Sequence, residues 1–324
     1  MKQAIQCCNL VKTYVGKPPV EAVRGIDLEV EVGECFVVLG PNGAGKTTTI
    51  EILEGLLPAS SGEVNVLGYR WQDAGNTIRQ KIGVSLQETQ LSEKISVRET
   101  LTLFRSFYDR GLTVEECMEQ VSLTEKQSSW VKKLSGGQKQ RLAVATAIIG
   151  DPEILFLDEP TTGLDPASRR ELWDIIRCFR QRGKTILLTT HYMEEAERLC
   201  DRVAIFDRGK VIAMGTPSEL IASLGAEHVI EFSAARLNGG VDPLPLTEVA
   251  WVSNLPSVDQ VDEIGDQIRL TVGQPHEVLP GLMQRLAADQ LQMTSLSTRH
   301  ASLEDVFVSL TGRQLNESPV TESR

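Results

Sequence analysis

Residues 40–48, reading GPNGAGKTT, constrain this chain more than any other stretch. They follow the apolar run CFVVL at 35–39 and precede a segment with helical character at 49–57. The spacing fits G-x-x-x-x-G-K-[ST], a loop in which Gly40, Gly43 and Gly45 let the backbone turn tightly around an anion. Successive N–H groups then point inward, and the N-terminus of the next helix adds its partial positive charge. In such a loop Lys46 reaches the β- and γ-phosphates and Thr47 ligates Mg²⁺.

Length and composition bound what surrounds that loop. At 324 residues the expectation is two domains, each able to bury a core. Hydrophobic residues at 41% and charged residues at 24% are ordinary for a soluble globular protein, and a net charge of −11 argues against general affinity for a nucleic-acid backbone. No apolar run approaches the roughly 20 residues that cross a bilayer, and the start MKQAIQCCN lacks the apolar core of a signal peptide. The cytosol is the expected compartment. Cysteines 7, 8, 35, 117, 178 and 200 show no metal-ligand spacing and no disulfide framework.

In chain order, Leu28, Val30 and Val32 alternate with acidic residues, which predicts a half-buried strand over 27–32. Tyr14 is an aromatic among polar and small neighbours; upstream of a phosphate loop it is a candidate for stacking on a base. A buried strand at 82–86 ends at Gln87, and a helical insert follows, opened by the capping boxes Ser96-x-x-Glu99 and Thr113-x-x-Glu116. Leu134, Ser135, Gly136, Gly137 and Gln138 (LSGGQ) then open another helix. Ser135 is placed to cap it, and two glycines in its first turn leave N–H groups bare for a second anion.

The apolar strand ILFLD at 154–158 ends in two carboxylates, at the edge where α/β sheets bind ligands. There Asp158 would hold Mg²⁺ through water, and Glu159 would polarise a water aimed at the γ-phosphate. Asp165 and Pro166 cap and start a helix, and a strand at 184–190 delivers His191 beside Glu159, as a donor to the γ-phosphate.

These residues, in this order, resemble the nucleotide-binding domain of ATP-binding cassette (ABC) proteins, over about residues 4–222. Tyr14 is similar to the family's adenine-stacking aromatic. Gly40, Pro41, Asn42, Gly43, Ala44, Gly45, Lys46, Thr47 and Thr48 match its Walker A loop, and Gln87 its Q-loop, which joins Thr47 and Asp158 around Mg²⁺. LSGGQ matches the signature sequence, residues 154–159 the Walker B strand with Glu159 as catalytic glutamate, Asp165 the D-loop, and His191 the switch histidine.

The resemblance implies an α/β P-loop fold: a mixed sheet, an antiparallel β subdomain and a helical insert at about 88–150, within a domain spanning 1–225. It implies ATP and Mg²⁺ as ligands. It also implies a head-to-tail dimer with a second ATP-binding subunit, each ATP lying between the phosphate loop of one chain and the LSGGQ helix of the other.

Past Gly225 the sequence changes style. Strands are predicted at 228–233, 267–272 and 291–298, a helix at 275–288, and a last helix from Ser302 to Gly312 with Leu303, Val306, Phe307 and Leu310 on one face. SLEDVFVSLTG resembles the close of the accessory domain on ATPases of drug-resistance, sodium-efflux and polysaccharide exporters whose membrane part is a separate chain. The expectation is a small α+β accessory domain at 226–312, a disordered tail at 313–324, and an integral-membrane permease as partner at the cytoplasmic face of the cell membrane. A soluble ABC ATPase acting on ribosomes or nucleic acid is the alternative. Such relatives carry two cassettes or a long coiled coil, and this chain has neither.

Overall fold

A computed structural model describes residues 2–87, 89–225, 227–236 and 243–312; the tail expected at 313–324 lies outside them. The chain forms two compact units, Met1–Thr216 and Pro217–Arg324. That division precedes the boundary expected after residue 225. Helix Pro217–Ala222 falls in the second unit, where it packs on helix Leu303–Thr311.

The first unit is built on a six-stranded mixed sheet in the order Ile82–Ser85, Ile154–Asp158, Thr185–Thr190, Cys35–Leu39, Arg202–Asp207, Lys210–Gly215. The first five strands are parallel, and the last turns back antiparallel through the hairpin at Arg208 and Gly209. Strands 35–39, 154–158 and 185–190 are buried at every position, which is why they read as unbroken apolar runs rather than alternating ones. Register aligns their carboxyl ends: Leu39 lies opposite Thr190, and Asp158 opposite Thr189. The residues that follow each strand therefore meet at one edge of the sheet.

A second, antiparallel sheet of Val20–Glu31, Gln3–Tyr14 and Ser61–Val66 supplies Ile5, Leu28 and Val30 to a core shared with Phe36, Phe156 and Phe206. Ile50 and Leu53 of helix Lys46–Leu53 join the same core. Val32 departs from the expected alternation: the strand ends at Glu31, and Val32, in the turn that follows, is 52% exposed. The insert contains helices Val97–Arg105, Val114–Gln120 and Gly136–Ile148. Ser96 with Glu99, Thr113 with Glu116, and Ser135 with Gln138 each form a reciprocal capping box, satisfying two first-turn donors apiece.

The second unit is a four-stranded antiparallel sheet in the order Val258–Ile264, Gln267–Val272, His228–Arg236, Leu291–His300. Ile230, Phe232, Ile268, Leu270 and Val272 cluster with Val278, Leu282 and Leu286 of helix Pro275–Ala288. The alternate residues Glu231 and Arg269 fall on the other face, where they bond to Arg299 and to Asp305 of the last helix. That helix buries Leu303, Val306 and Phe307 as expected, but Leu310, in its final turn, is 50% exposed. No helix of the described residues is long and apolar enough to cross a membrane.

Candidate functional site

The phosphate loop bridges the buried strand Cys35–Leu39 and helix Lys46–Leu53. Gly45 caps the helix at φ 98°, and a Cβ there would stand 2.4 Å from the Ala22 carbonyl oxygen, so only glycine fits. Lys46 is 4% exposed; its ammonium donates to the carbonyl oxygens of Gly40 (2.8 Å) and Pro41 (3.2 Å) and lies 3.4 Å from Glu159 Oε1. Burial lowers its pKa against the opposing pull of Glu159.

Two carboxylates face this cation. Asp158 accepts from the hydroxyls of Thr189 and, at 3.5 Å, Thr47. Burial raises its pKa, opposed by the Thr189 hydrogen bond. Glu159 sits at φ 43°, a left-handed conformation that costs a β-carbon residue on the order of 1 kcal/mol and is held by its N–H bond to Thr189 Oγ1 at 2.8 Å. Its Oε2 lies 3.1 Å from His191 Nδ1 and accepts from the Thr162 hydroxyl at 3.1 Å. The His191 hydrogen bond, then the Lys46 charge, outweigh burial and hold the Glu159 carboxyl down at about 2.

A cavity of about 640 Å³ opens over this cluster, within the range of small-molecule sites. Of the residues picked from sequence, Tyr14, Asn42, Gly43, Gly45, Lys46, Thr47, Thr48, Gln87 and Glu159 line it, and the Tyr14 hydroxyl lies 3.3 Å from Thr48 Oγ1. Gly40, Pro41 and Ala44 are not on its wall; Pro41 and Ala44 are buried, and Gly40 and Pro41 act through the carbonyls that hold Lys46. Asp158 and His191 reach the cluster through Thr47 and Glu159.

Leu134, Ser135, Gly136, Gly137 and Gln138 do not line the cavity at all, and neither does Asp165. Ser135 caps helix Gly136–Ile148. A Cβ on Gly136 would meet nothing within 4 Å, whereas one on Gly137 would stand 2.4 Å from Ser168 Oγ. Asp165 caps helix Pro166–Gln181 through the N–H groups of Ala167 and Ser168, both at 3.0 Å. One chain thus carries two separated helix N-termini suited to anions.

Sequence reasoning missed Arg24 and Arg208 at the cavity, and Thr189 beneath it. Arg24 sits on strand Val20–Glu31 and Arg208 in the hairpin turn after Asp207, brought together when the Arg24 N–H bonds the Gly209 carbonyl at 2.8 Å, and no local pattern announces that. Thr189 had a visible signal, a polar residue ending an apolar strand beside His191.

The ABC transporter family matches residues 23–162, and the family described as ATP-binding protein DrrA1-3-like, C-terminal domain, matches residues 215–311. The linearmycin resistance ATP-binding protein LnrL of Bacillus subtilis (strain 168) is 35% identical, covering 97% of this chain and 100% of its own. The chain belongs to the ABC transporter ATP-binding proteins. A second ABC relative, the Nod factor export ATP-binding protein I of Rhizobium etli, is 39% identical over 97% of this chain and 95% of its own.

Among solved ABC structures, an ATP-binding subunit of an ABC transporter aligns with TM-score 0.61 and 29% identity, covering 68% of this chain and 93% of that one. The dimeric, post-hydrolysis cassette MJ0796 bound to ADP and Pi aligns with TM-score 0.60 and 26% identity, covering 65% and 98%. This ABC protein is accordingly an ATPase.

Proposed function

We propose that this ATPase energises export through a separate integral-membrane permease, held at the cytoplasmic face of the cell membrane as a head-to-tail dimer. The observation that carries the dimer is the separation of the two anion sites. Lys46 and Glu159 lie at one cavity while Ser135 and the open face of Gly136 lie away from it, so a second chain has to bring LSGGQ to the first chain's nucleotide. Export is supported by relatives named for linearmycin resistance and Nod factor export, which match nearly end to end. No observation favours the ribosome- or nucleic-acid-acting alternative.

In this reading Tyr14 stacks on adenine, the loop and Lys46 bind the phosphates, and LSGGQ of the other subunit closes over the γ-phosphate. The donor set suits Mg²⁺: a hydroxyl (Thr47), a carboxylate (Asp158) and an amide oxygen (Gln87) are hard ligands, and Lys46 alone leaves two carboxylates incompletely balanced. Among the described residues no group of three or more His, Cys, Asp or Glu could hold a metal. The ion would therefore be shared with the nucleotide's phosphates, and when bound it supplies charge neutralisation there.

Glu159 is the base. With its carboxyl at about 2 it is a weak one while Lys46 and His191 both hold it. Phosphate oxygens that draw the Lys46 ammonium away remove that charge and raise the basicity of Glu159 when ATP is in place. His191, 3.1 Å from Glu159, keeps the carboxylate oriented and donates toward the γ-phosphate. The second unit steadies the dimer or the permease contact.

The experiment is ATPase activity per chain against protein concentration. It should rise until dimers saturate, and Ser135→Arg should suppress it with little loss of ATP binding by the monomer. Activity per chain that stays flat down to concentrations where only monomer is present removes the shared site.

A further inference from the structure

Behind His191 runs a buried polar chain that the hydrolysis chemistry does not use. Glu195, in helix Met193–Leu199, has no solvent exposure. Its Oε1 accepts the indole N–H of Trp173 at 2.9 Å, and its Oε2 accepts the Thr190 hydroxyl at 2.6 Å. Thr190, 1% exposed, in turn accepts the Tyr192 N–H at 2.9 Å. Since that hydroxyl's single proton goes to Glu195, its lone pair is free for Tyr192, and the chain runs in one direction only.

The arrangement brackets the histidine. Thr190 precedes His191 and Tyr192 follows it, so one hydroxyl ties down the backbone on both sides of the ring. The Tyr192 ring lies 4.2 Å from the His191 ring, and the Arg169 guanidinium lies 4.2 Å from the Tyr192 ring. Arg169 and Trp173 are on helix Pro166–Gln181, the helix Asp165 caps. A carboxylate with no exposure is a poor packing group, because desolvating it is costly unless specific donors receive it. Here both oxygens have one, and both donors lead to the His191 turn or to the helix behind it.

We propose that Glu195 is a positioning residue for His191: acting through Thr190, it fixes the turn at 190–192 so that His191 Nδ1 stays on Glu159. This rests on the reading of His191 as the group that works with Glu159 on the γ-phosphate. ATP affinity lies with the phosphate loop and Lys46, so loosening this chain should slow turnover and leave affinity alone.

Thr190→Val removes the hydroxyl while nearly keeping the shape. The full-length protein has four histidines, so the His191 ring resonance can be assigned by its loss in His191→Ala. The expected result is a shifted and broadened His191 resonance in Thr190→Val, with kcat for ATP hydrolysis down about 10-fold, as for one lost buried hydrogen bond, and KM within about twofold. Thr190→Ser, which keeps the hydroxyl, should restore the resonance and most of the rate. Trp173→Phe, which deletes the indole donor along with part of the ring, gives a second variant should Thr190→Val not fold, with the same direction of change.

An unchanged His191 resonance in a folded Thr190→Val or Trp173→Phe protein overturns the proposal, even if the melting temperature falls, because Glu195 would then serve packing alone. Failure of the underlying reading looks different. His191→Ala would hydrolyse ATP at the parent rate, whatever the resonance does in the other variants.

Discussion

Each of the two units buries a cluster of basic and acidic side chains, and the clusters are built to opposite ends. In the second unit Arg299 forks onto both oxygens of Asp305 at 2.7 and 2.8 Å, and Arg269 pairs with Glu231 at 2.8 Å and with Asp305 at 3.3 Å. Two cations meet two carboxylates, Ser302 adds its N–H and hydroxyl to Asp305, and the adjoining cavity, about 240 Å³, is below the usual size of a ligand pocket. Burial alone would raise the Asp305 carboxyl, but Arg299, the Ser302 N–H and Arg269 together hold it below its usual value. This cluster is closed on itself.

In the first unit Lys46 and two carboxylates lie beneath a cavity of about 640 Å³, Glu159 is held at φ 43°, and the lysine spends its donors on loop carbonyls. That cluster lies open to a ligand, and the occupant we propose is a nucleotide with its metal. Opposite charges brought together therefore serve specificity of fold in one place and readiness for a ligand in the other.

The sharpest way to break the comparison is to remove one carboxylate from the closed cluster. Asp305→Ala leaves the buried Arg269 and the half-buried Arg299 short of a partner and should destabilise the second unit by about 3 kcal/mol. Limited proteolysis should then cleave residues beyond 217, while ATP affinity of the first unit stays near parent. Loss of ATP binding instead would mean the two units do not fold separately. Next in size, Lys46→Ala should weaken ATP binding by about 10²-fold, since the phosphates lose their one buried cation, yet leave the folded first unit intact. Unfolding in place of lost affinity would make this cluster structural too.

Titration separates the units in sign. Asp305 has a lowered pKa, so its contribution is fully present above its unfolded value near 4 and is lost as pH falls through the folded value: the second unit weakens in acid. Glu54, at the end of the P-loop helix, runs the other way. It is 3% exposed, neither carboxyl oxygen has a hydrogen-bond partner among the described residues, and burial, with Asp158 and Glu51 adding, pushes its pKa up to about 8. Between the ordinary glutamate value of 4.5 and about 8 the folded state holds a proton the unfolded state has released, so the first unit loses stability as pH rises through that window. Glu54→Gln should raise the first unit's melting temperature by a few degrees at pH 9 and leave it nearly unchanged at pH 4, checked by calorimetry in both buffers. Equal shifts at both pH values would show that ionisation of Glu54 is not the cause.

How much of this could be read from sequence follows from whether the information is contiguous. The phosphate loop, LSGGQ, the strand ending at Asp158 and the turn to His191 are each short runs whose chemistry and conformation are specified locally, and each forms as expected. Strand Val258–Ile264 went unread because VDQVDEI is acidic at the sheet edge and mostly half-buried. Helix Trp71–Arg79 went unread because WQDAGNTIR contains glycine and asparagine and bends at Ala74, φ −139°. Buried charges are the hardest case. Glu54, Glu195 and Arg269 look like surface residues in any hydropathy pattern, and only tertiary structure encloses them. Leu310 is the converse, an apolar residue in phase with its helix but exposed because the helix stops at Thr311.

The central claim is that the open cluster is a hydrolytic centre whose base is Glu159. Glu159→Gln keeps the shape and the Thr189 contact of the backbone but cannot take a proton. Measured on one preparation, ATP affinity should stay within about threefold of parent while turnover falls by about 10²-fold or more. Turnover at the parent rate with binding intact would contradict the assignment and leave the Lys46–Glu159–His191 cluster without its proposed chemistry.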